Sequence, residues 1–183
     1  AQYHPLCRCR VHHRNDTHHH PVLLEVARHL HGPARCLVFF SPAQVESIQG
    51  RITGVVGVEN TAENTDLVIE AVFEDFDVKT AVFNALDEAC GEGTILASNT
   101  SSLSVNALAE ATGRADRFVG LHFFFHPAKN RLVEVIPAKS SSQETIDKVV
   151  QYCKMLGKVV IVCADRPGFV VNRFFVPLSL IHI

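Results

Sequence analysis

Residues 67–102 read LVIEAVFEDFDVKTAVFNALDEACGEGTILASNTSS, and their hydrophobic period changes twice. Residues 67–73 form a short apolar run around one glutamate, which is typical of a strand buried on both faces of a parallel sheet. Apolar residues then recur at helical spacing over residues 78–89, and two glycines follow as a stop signal. Residues 94–97 are again strand-like and lead into a polar turn. This order indicates a strand, a helix and a second strand joined by short connections.

The same alternation continues toward the carboxyl end. Residues 103–111 have helical spacing, and residues 118–123 are rich in strand-formers. A further apolar helical stripe precedes strand-like residues 158–163, and Ser141 with Glu144 forms a capping-box pattern that opens that helix. Strands that alternate with helices through short connections favour right-handed βαβ units. The chain is therefore predicted to have an α/β fold, a parallel sheet with flanking helices.

The composition argues against several classes of protein. With 183 residues, 47% of them hydrophobic, the chain can form one domain with a sizeable core. Its net charge of −2 gives no indication of binding to nucleic acid or to an anionic membrane surface. No apolar run approaches the roughly 20 residues of a membrane span. The six cysteines lack the spacing of a disulfide framework. We expect a protein of a reducing compartment that is not secreted.

Three polar clusters fall at the carboxyl ends of the predicted strands: Glu74 with Asp75, residues 98–102, and His122. In sheets of this kind ligands bind beyond those ends. One polar turn alone would mean little, because hydroxyl groups cap helices routinely. Three clusters at one edge predict a ligand site there.

The segment 116–137, DRFVGLHFFFHPAKNRLVEVIP, places one histidine and one glutamate in two neighbouring strand-like runs. Glu134 should point to the same face as Leu132 and Ile136, among aliphatic side chains where a carboxylate needs a donor. His122 is the candidate donor, and a carboxylate that holds an imidazole fixes its tautomer and raises its basicity. The alternative is an exposed glutamate at a sheet edge and an unrelated core histidine. Spacing alone leaves both interpretations open.

Residues 1–50 and residues 179–183 fit this pattern poorly. Eight of the eleven histidines lie before residue 32, although helical spacing at 22–30 and a strand-like run at 37–40 are also present. The candidate metal ligands of this leader have no spacing typical of a structural zinc site: Cys7, Cys9, His12 and His13. We expect a disordered or non-native leader and no metal site, with a metal-binding leader as the alternative. The tail is expected to be non-native, and the start at Ala1 indicates a fragment.

Five motifs occur in order: EAVFED (70–75), ASNTSSL (97–103), GLHFF (120–124), LVEVI (132–136) and DRPGFVVNR (165–173). Together they resemble the NAD-binding domain of the L-3-hydroxyacyl-CoA dehydrogenases, a family that includes the dehydrogenase parts of multifunctional fatty-acid oxidation proteins. The resemblance covers about residues 51–178. It implies a Rossmann-like sheet and NAD-dependent oxidation of an L-3-hydroxyacyl-CoA to a 3-oxoacyl-CoA. It also implies a parent protein that is a homodimer or part of a multifunctional complex, in the bacterial cytoplasm, or in mitochondria or peroxisomes.

The resemblance implies four catalytic positions. His122 corresponds to the base that takes the proton of the substrate's 3-hydroxyl, and Glu134 corresponds to the carboxylate that orients that histidine. Ser101 matches a serine near the substrate oxygen and the nicotinamide. Asn172 matches an active-site amide, although its position alone favours a local cap or a surface amide. The positions that match cofactor contacts are Glu74, Lys79 and Ser101.

The chain departs from the family pattern in three places. Phe125 stands where many members have an asparagine that helps to place the nicotinamide, and His126 is then a subfamily variant, a capping side chain or a competing base. No G-x-G-x-x-G loop occurs to hold the pyrophosphate, and the helical C-terminal domain is missing after Pro177. We therefore expect a fragment with an incomplete Rossmann-like sheet that alone is weakly active or inactive. The alternative function is a non-catalytic nucleotide- or CoA-binding module.

Overall fold

A computed structural model of the chain describes residues 9–13, 41–61 and 65–181, so the helix predicted at 22–30 and the strand predicted at 37–40 lie outside the described residues. The strands are β1 Cys9–His13, β2 Ile52–Val56, β3 Leu67–Glu70, β4 Ile95–Ser98, β5 Phe118–Phe123, β6 Leu132–Pro137 and β7 Val159–Val162. The helices are α1 Pro42–Gln49, α2 Val58–Thr61, α3 Phe76–Ala89, α4 Val105–Glu110, α5 Gln143–Met155 and α6 Val171–Ile181. Within these described ranges, no helix has the length and apolar character needed to cross a membrane.

The main sheet has five strands in the order β3-β4-β5-β6-β7. Strands β3, β4 and β5 are parallel as predicted, and β7 is parallel to β6. Strands β5 and β6 are antiparallel, so the predicted parallel sheet is a mixed, mainly parallel one. Only residues 124–131 connect these two strands, and a parallel connection needs a crossover of about a dozen residues or more. Strand β1 pairs in parallel with β2 in a separate two-stranded sheet.

Helices cover both faces of the main sheet. Since successive strand residues point to opposite faces, Leu96 packs with α3 and α4 on one side while Ala97 packs with α5 on the other. The first cluster is closed by Phe83 of α3, whose ring meets the ring of Phe118 edge to face at 4.8 Å. The second cluster contains Val149 and Cys153 of α5. The inner strands β4, β5 and β6 are therefore buried as their apolar runs predict, whereas Val159 and Val162 of the edge strand β7 are each 52% exposed.

Side-chain caps set the starts of the helices and hence the entry of each loop. Asp75 accepts a hydrogen bond from the Val78 N–H at the start of α3. The predicted cap Ser141 is wrong by one residue, because Ser142 accepts the N–H of Thr145 and α5 begins after it. The hydroxyl of Ser141 instead donates to the carbonyl of Phe118 and accepts the Ala138 N–H. Hydrogen bonds to other parts of the chain thus occupy Ser141, and Ser142 caps the helix.

Strand β3 and the carboxyl-terminal helix depart most from the expected pattern. Strand β3 ends at Glu70 rather than at residue 73, because the Glu70 carboxylate accepts the N–H of Val72 and the chain turns out of the sheet. Helix α6 begins inside the DRPGFVVNR motif and runs on to Ile181. Residues 178–181, which continue no pattern in the sequence, are therefore helical. The apolar side chains of α6 from Phe174 onward are largely exposed.

Candidate active site

Glu74 joins the loops that follow β3 and β4. Its Oε1 accepts the hydroxyl of Thr100 at 2.6 Å and the N–H groups of Ser101 and Ser102 at 2.8 and 3.1 Å. Burial raises the pKa of Glu74, but the hydrogen bonds from Thr100 and Ser101 and the charge of Lys79 outweigh burial and hold that pKa below its usual value. Two of the three predicted polar clusters are therefore in direct contact.

His122 and Glu134 stand opposite each other across the antiparallel pair of β5 and β6. The distance from His122 Nδ1 to Glu134 Oε2 is 2.7 Å, and the two side chains are 5% and 0% exposed. Of the two interpretations that the spacing left open, the paired one is present, and Glu134 is not an exposed edge residue. The register of the β5–β6 hairpin produces this contact.

The second oxygen of Glu134 is also occupied. Oε1 accepts the N–H groups of Val170 and Val171 at 3.0 and 2.9 Å, where the chain enters α6. Amide N–H groups and the partial positive charge of a helix start suit an ionised carboxylate, which only accepts hydrogen bonds. Nδ1 of His122 must then carry the hydrogen of the shared bond, and in the neutral imidazole Nε2 keeps its lone pair.

Aromatic rings enclose the imidazole of His122. The ring of Phe124 lies 4.5 Å from it between centroids, and the ring of Phe169 lies 5.7 Å from it. The end of β5 is tied to the turn after β4, because the N–H of Phe123 donates to Asn99 Oδ1 at 2.9 Å. Among the residues that the structure describes, the imidazole therefore has one polar partner, Glu134, and aromatic rings beside it.

Ser101 and Asn172 meet although 71 residues separate them in the chain. The side-chain amide of Asn172, in the first turn of α6, donates to the backbone carbonyl of Ser101 at 3.4 Å. Since the preceding residue Val171 binds Glu134, α6 connects the serine turn to the His122–Glu134 pair. The structure thus brings the four proposed catalytic residues into one chain of contacts.

Lys79 is buried behind Glu74. Its Nζ lies 2.7 Å from Glu70 Oε1 and 3.2 Å from Glu74 Oε2, and its side chain is 1% exposed. Glu70 is a buried neighbour of this site that the sequence analysis did not single out, and its Oε2 also accepts the Ser98 hydroxyl at 2.7 Å. A carboxylate inside the apolar run 67–73 was the available signal, since the same argument had singled out Glu134.

The loop after β5 contains the two residues that depart from the family pattern. Phe125 is 80% exposed. The ring nitrogen Nδ1 of His126 accepts the N–H of Ala128 at 3.3 Å, and the carbonyl of His126 accepts the N–H groups of Lys129 and Asn130. Of the roles left open for His126, these contacts favour a capping side chain.

In the parts of the chain that the structure describes, no group of three or more histidine, cysteine, aspartate or glutamate residues could hold a metal ion. The leader's candidate ligands lie outside the described side chains.

Comparison with known proteins extends the similarity beyond the five motifs. The family model of the 3-hydroxyacyl-CoA dehydrogenase NAD-binding domain matches residues 16–166, beginning inside the leader. The mitochondrial hydroxyacyl-coenzyme A dehydrogenase of Sus scrofa is 45% identical over 133 residues, 73% of this chain and 42% of that protein. The fatty acid oxidation complex subunit alpha of Pseudomonas syringae is 49% identical over 114 residues, 62% of this chain and 16% of that protein.

A solved structure agrees with these relatives. The (S)-3-hydroxybutyryl-CoA dehydrogenase of Ralstonia eutropha superposes with a TM-score of 0.79 at 38% identity, covering 86% of this chain and 56% of that one. The described sheet and helices are thus the mixed, mainly parallel Rossmann-like arrangement of such proteins. The chain spans less than half the length of the pig protein it matches.

Proposed function

Since the chain belongs to the 3-hydroxyacyl-CoA dehydrogenase family, whose NAD-binding domain it matches, we propose that it is the NAD-binding part of an enzyme that oxidises an L-3-hydroxyacyl-CoA to a 3-oxoacyl-CoA. The observation that supports this most is the 2.7 Å hydrogen bond between His122 Nδ1 and Glu134 Oε2. It lies inside the matched domain, near the carboxyl ends of the parallel strands, beyond which ligands bind in sheets of this kind.

His122 is the proposed general base. Glu134 holds the hydrogen on Nδ1, so the lone pair of Nε2 can take the proton of the substrate's 3-hydroxyl. The imidazolium that forms then lies against the buried carboxylate, which stabilises its charge strongly because little water screens the pair. The substrate's C–O bond becomes a carbonyl as its C3 hydrogen leaves as hydride. NAD, when bound, supplies the acceptor for that hydride.

Ser101 and Asn172 are the proposed partners of the substrate oxygen. Both backbone groups of Ser101 are engaged, the N–H by Glu74 and the carbonyl by Asn172. Among the residues that the structure describes, no hydrogen bond is found for the Ser101 hydroxyl, so it can donate to the substrate. The Asn172 amide has its oxygen and its second N–H left for the same purpose. Held this way, the two groups orient the reacting carbon toward His122.

The carboxyl ends of the parallel strands are the proposed site for a ribose of the dinucleotide. Glu74 and Ser101 are the proposed contacts. The Glu74 side chain is 36% exposed and rigidly held, so its carboxylate can accept a ribose hydroxyl, as acidic residues do in dinucleotide sites. Lys79, also proposed as a cofactor position, supports this contact by its ion pair with Glu74 rather than from the surface. The pyrophosphate loop is absent from the sequence. We therefore propose that the isolated chain has little or no turnover.

The relatives support a proposal for the assembly, the location and the substrate of the whole protein. They include a mitochondrial dehydrogenase and the alpha subunit of a bacterial fatty acid oxidation complex. We propose that residues 51–178 form part of an NAD-binding domain, and that the parent protein is a homodimer or part of such a complex. Its location is then the bacterial cytoplasm, mitochondria or peroxisomes, and an acyl-CoA is its substrate.

A hybrid protein tests the proposed function, because it joins the candidate site to the remaining parts of a full-length relative. In the pig enzyme, residues 65–178 of this chain would replace the matching segment, and NADH formation from 3-hydroxybutyryl-CoA would be measured. We expect turnover that falls about 10²–10⁴-fold on His122→Gln, the range for general acid–base catalysis. A folded hybrid that binds NADH but gives no turnover would contradict the proposal and favour a non-catalytic nucleotide- or CoA-binding module.

A further inference from the structure

Phe169 has a backbone conformation that aromatic residues rarely adopt. Its φ is +48°, and in the described ranges it is the one residue other than glycine with a positive φ. It follows Gly168, whose φ is +75°. In this region the Cβ of an L-residue crowds its own backbone, so the conformation of Phe169 is sustained only by the surrounding structure, whereas Gly168 adopts its own without strain. Such outliers cluster at functional sites.

The turn made by Gly168 and Phe169 is tight and fastened on both sides. The Phe169 N–H donates to the Arg166 carbonyl at 2.8 Å, and the Arg173 N–H donates to the Gly168 carbonyl at 3.0 Å. A Cβ at position 168 would lie 2.9 Å from the Arg173 nitrogen, so the backbone passes itself too closely for a side chain there. Asp165, three residues before Gly168, accepts the hydroxyl of Ser104 at 2.9 Å and so ties the turn to the start of α4.

This turn determines two features of the His122–Glu134 pair. It directs the next two backbone N–H groups, of Val170 and Val171, at Glu134 Oε1. It also folds the Phe169 side chain inward, where it is 3% exposed and its ring lies 5.7 Å from the imidazole of His122. The two N–H groups occupy Oε1 of Glu134 and leave Oε2 for His122. The Phe169 ring opposes rotation of the imidazole away from Oε2.

We propose that Phe169 is a positioning residue for the His122–Glu134 pair, acting through its left-handed turn on Glu134 and through its ring on His122. Its importance for turnover rests on the proposed function, whereas its effect on the pair does not. A residue that only fills the core has no need of a left-handed backbone. Phe83 is such a residue, since it is fully buried in the same cluster and has no ring contact with His122.

The tautomer of His122 tests this inference without any need for turnover. In the full chain with ¹⁵N-labelled histidine, NMR distinguishes hydrogen on Nδ1 from hydrogen on Nε2. We expect the single Nδ1–H form in the wild type and its loss to a mixture in Phe169→Leu, which removes the ring but keeps apolar volume. Phe83→Leu makes the same chemical change elsewhere in the core, so it should lower the melting temperature and leave the tautomer unchanged.

Two results would overturn the proposal: a folded Phe169→Leu chain that keeps the single Nδ1–H form, or an equal loss of that form in Phe83→Leu. If Phe169→Leu does not fold, Phe169→Gly replaces it, because glycine adopts the left-handed conformation without strain. The same two results, measured with Phe169→Gly in place of Phe169→Leu, would then overturn the proposal. A hybrid without turnover would contradict the dehydrogenase proposal alone, since the tautomer is measured separately.

Discussion

Lys79 Nζ lies 2.7 Å from Glu70 Oε1 in an ion pair whose two side chains are 1% and 0% exposed. The second carboxylate on the same ammonium, Glu74, is partly exposed and binds the serine turn. A lysine at the edge of a nucleotide site would ordinarily be assigned to phosphate or ribose. Here its charge is used inside the protein, so at the proposed cofactor site Glu74, and not Lys79, is the group that can face a ligand.

Glu70→Gln should destabilise the chain by about 3 kcal/mol, the lower part of the range for removing one member of a buried ion pair. The value is at the lower end because Glu74 still faces the ammonium at 3.2 Å. Urea unfolding followed by circular dichroism measures it. The control is Glu144→Gln, which removes a pair with Lys148 on the exposed face of α5 and should change stability little. Equal effects from the two variants would contradict a special role for the buried pair.

Glu134→Gln should remove activity from the hybrid enzyme by reversing the tautomer of His122. The N–H groups of Val170 and Val171 require an acceptor, so the glutamine oxygen should take the place of Oε1. Its NH₂ group then faces His122 Nδ1 and donates to it, which moves the histidine hydrogen to Nε2. Without a lone pair on Nε2, turnover should fall about 10²–10⁴-fold.

The measurement that separates this effect from unfolding is NADH binding by calorimetry, which should be unchanged in Glu134→Gln. NMR of the labelled histidine should show the Nε2–H form. Turnover close to that of the unmodified hybrid, with the Nε2–H form present, would mean that His122 is not the base.

Much of this site is readable from the sequence because burial leaves a pattern in it. The apolar runs locate β3, β4 and β5, and a glutamate among aliphatic residues leads to the pairing of Glu134 with His122. Periodicity reports which residues are buried but not which direction the neighbouring strand runs, so the antiparallel step to β6 was missed. Ser141 and Ser142 are equally good caps locally, and only the carbonyl of Phe118 separates them. Contacts of this kind depend on the folded chain.

Glu74 should make the stability of the fold depend on acid. Its pKa in the folded chain is lowered from 4.5, despite burial, by Thr100, Ser101 and Lys79. A lowered pKa means that its contribution to stability is fully present above 4.5 and is lost as the pH falls through the folded value. Urea unfolding of the wild type and Glu74→Gln should therefore differ at neutral pH and converge in acid. A difference that is the same at both pH values would show that the charge of Glu74 is not its source.

Cys163 should report the charge of Glu134 without any ligand. Burial first, and then the negative charges of Glu134 and Asp165, raise the pKa of the Cys163 thiol from 9.0 to about 11. The thiolate is the reactive form, so native Cys163 should be alkylated about 100-fold more slowly than an ordinary cysteine. In Glu134→Gln one of those charges is gone, the pKa of Cys163 falls, and its alkylation at neutral pH should become several-fold faster.

Cys153 is the internal control, because its pKa of about 11 is raised by burial without a contribution from Glu134. Peptide mapping by mass spectrometry follows the two cysteines in one sample. A faster rate at Cys163 alone would locate the effect at the carboxylate, whereas faster rates at both would mean that the variant has loosened the sheet.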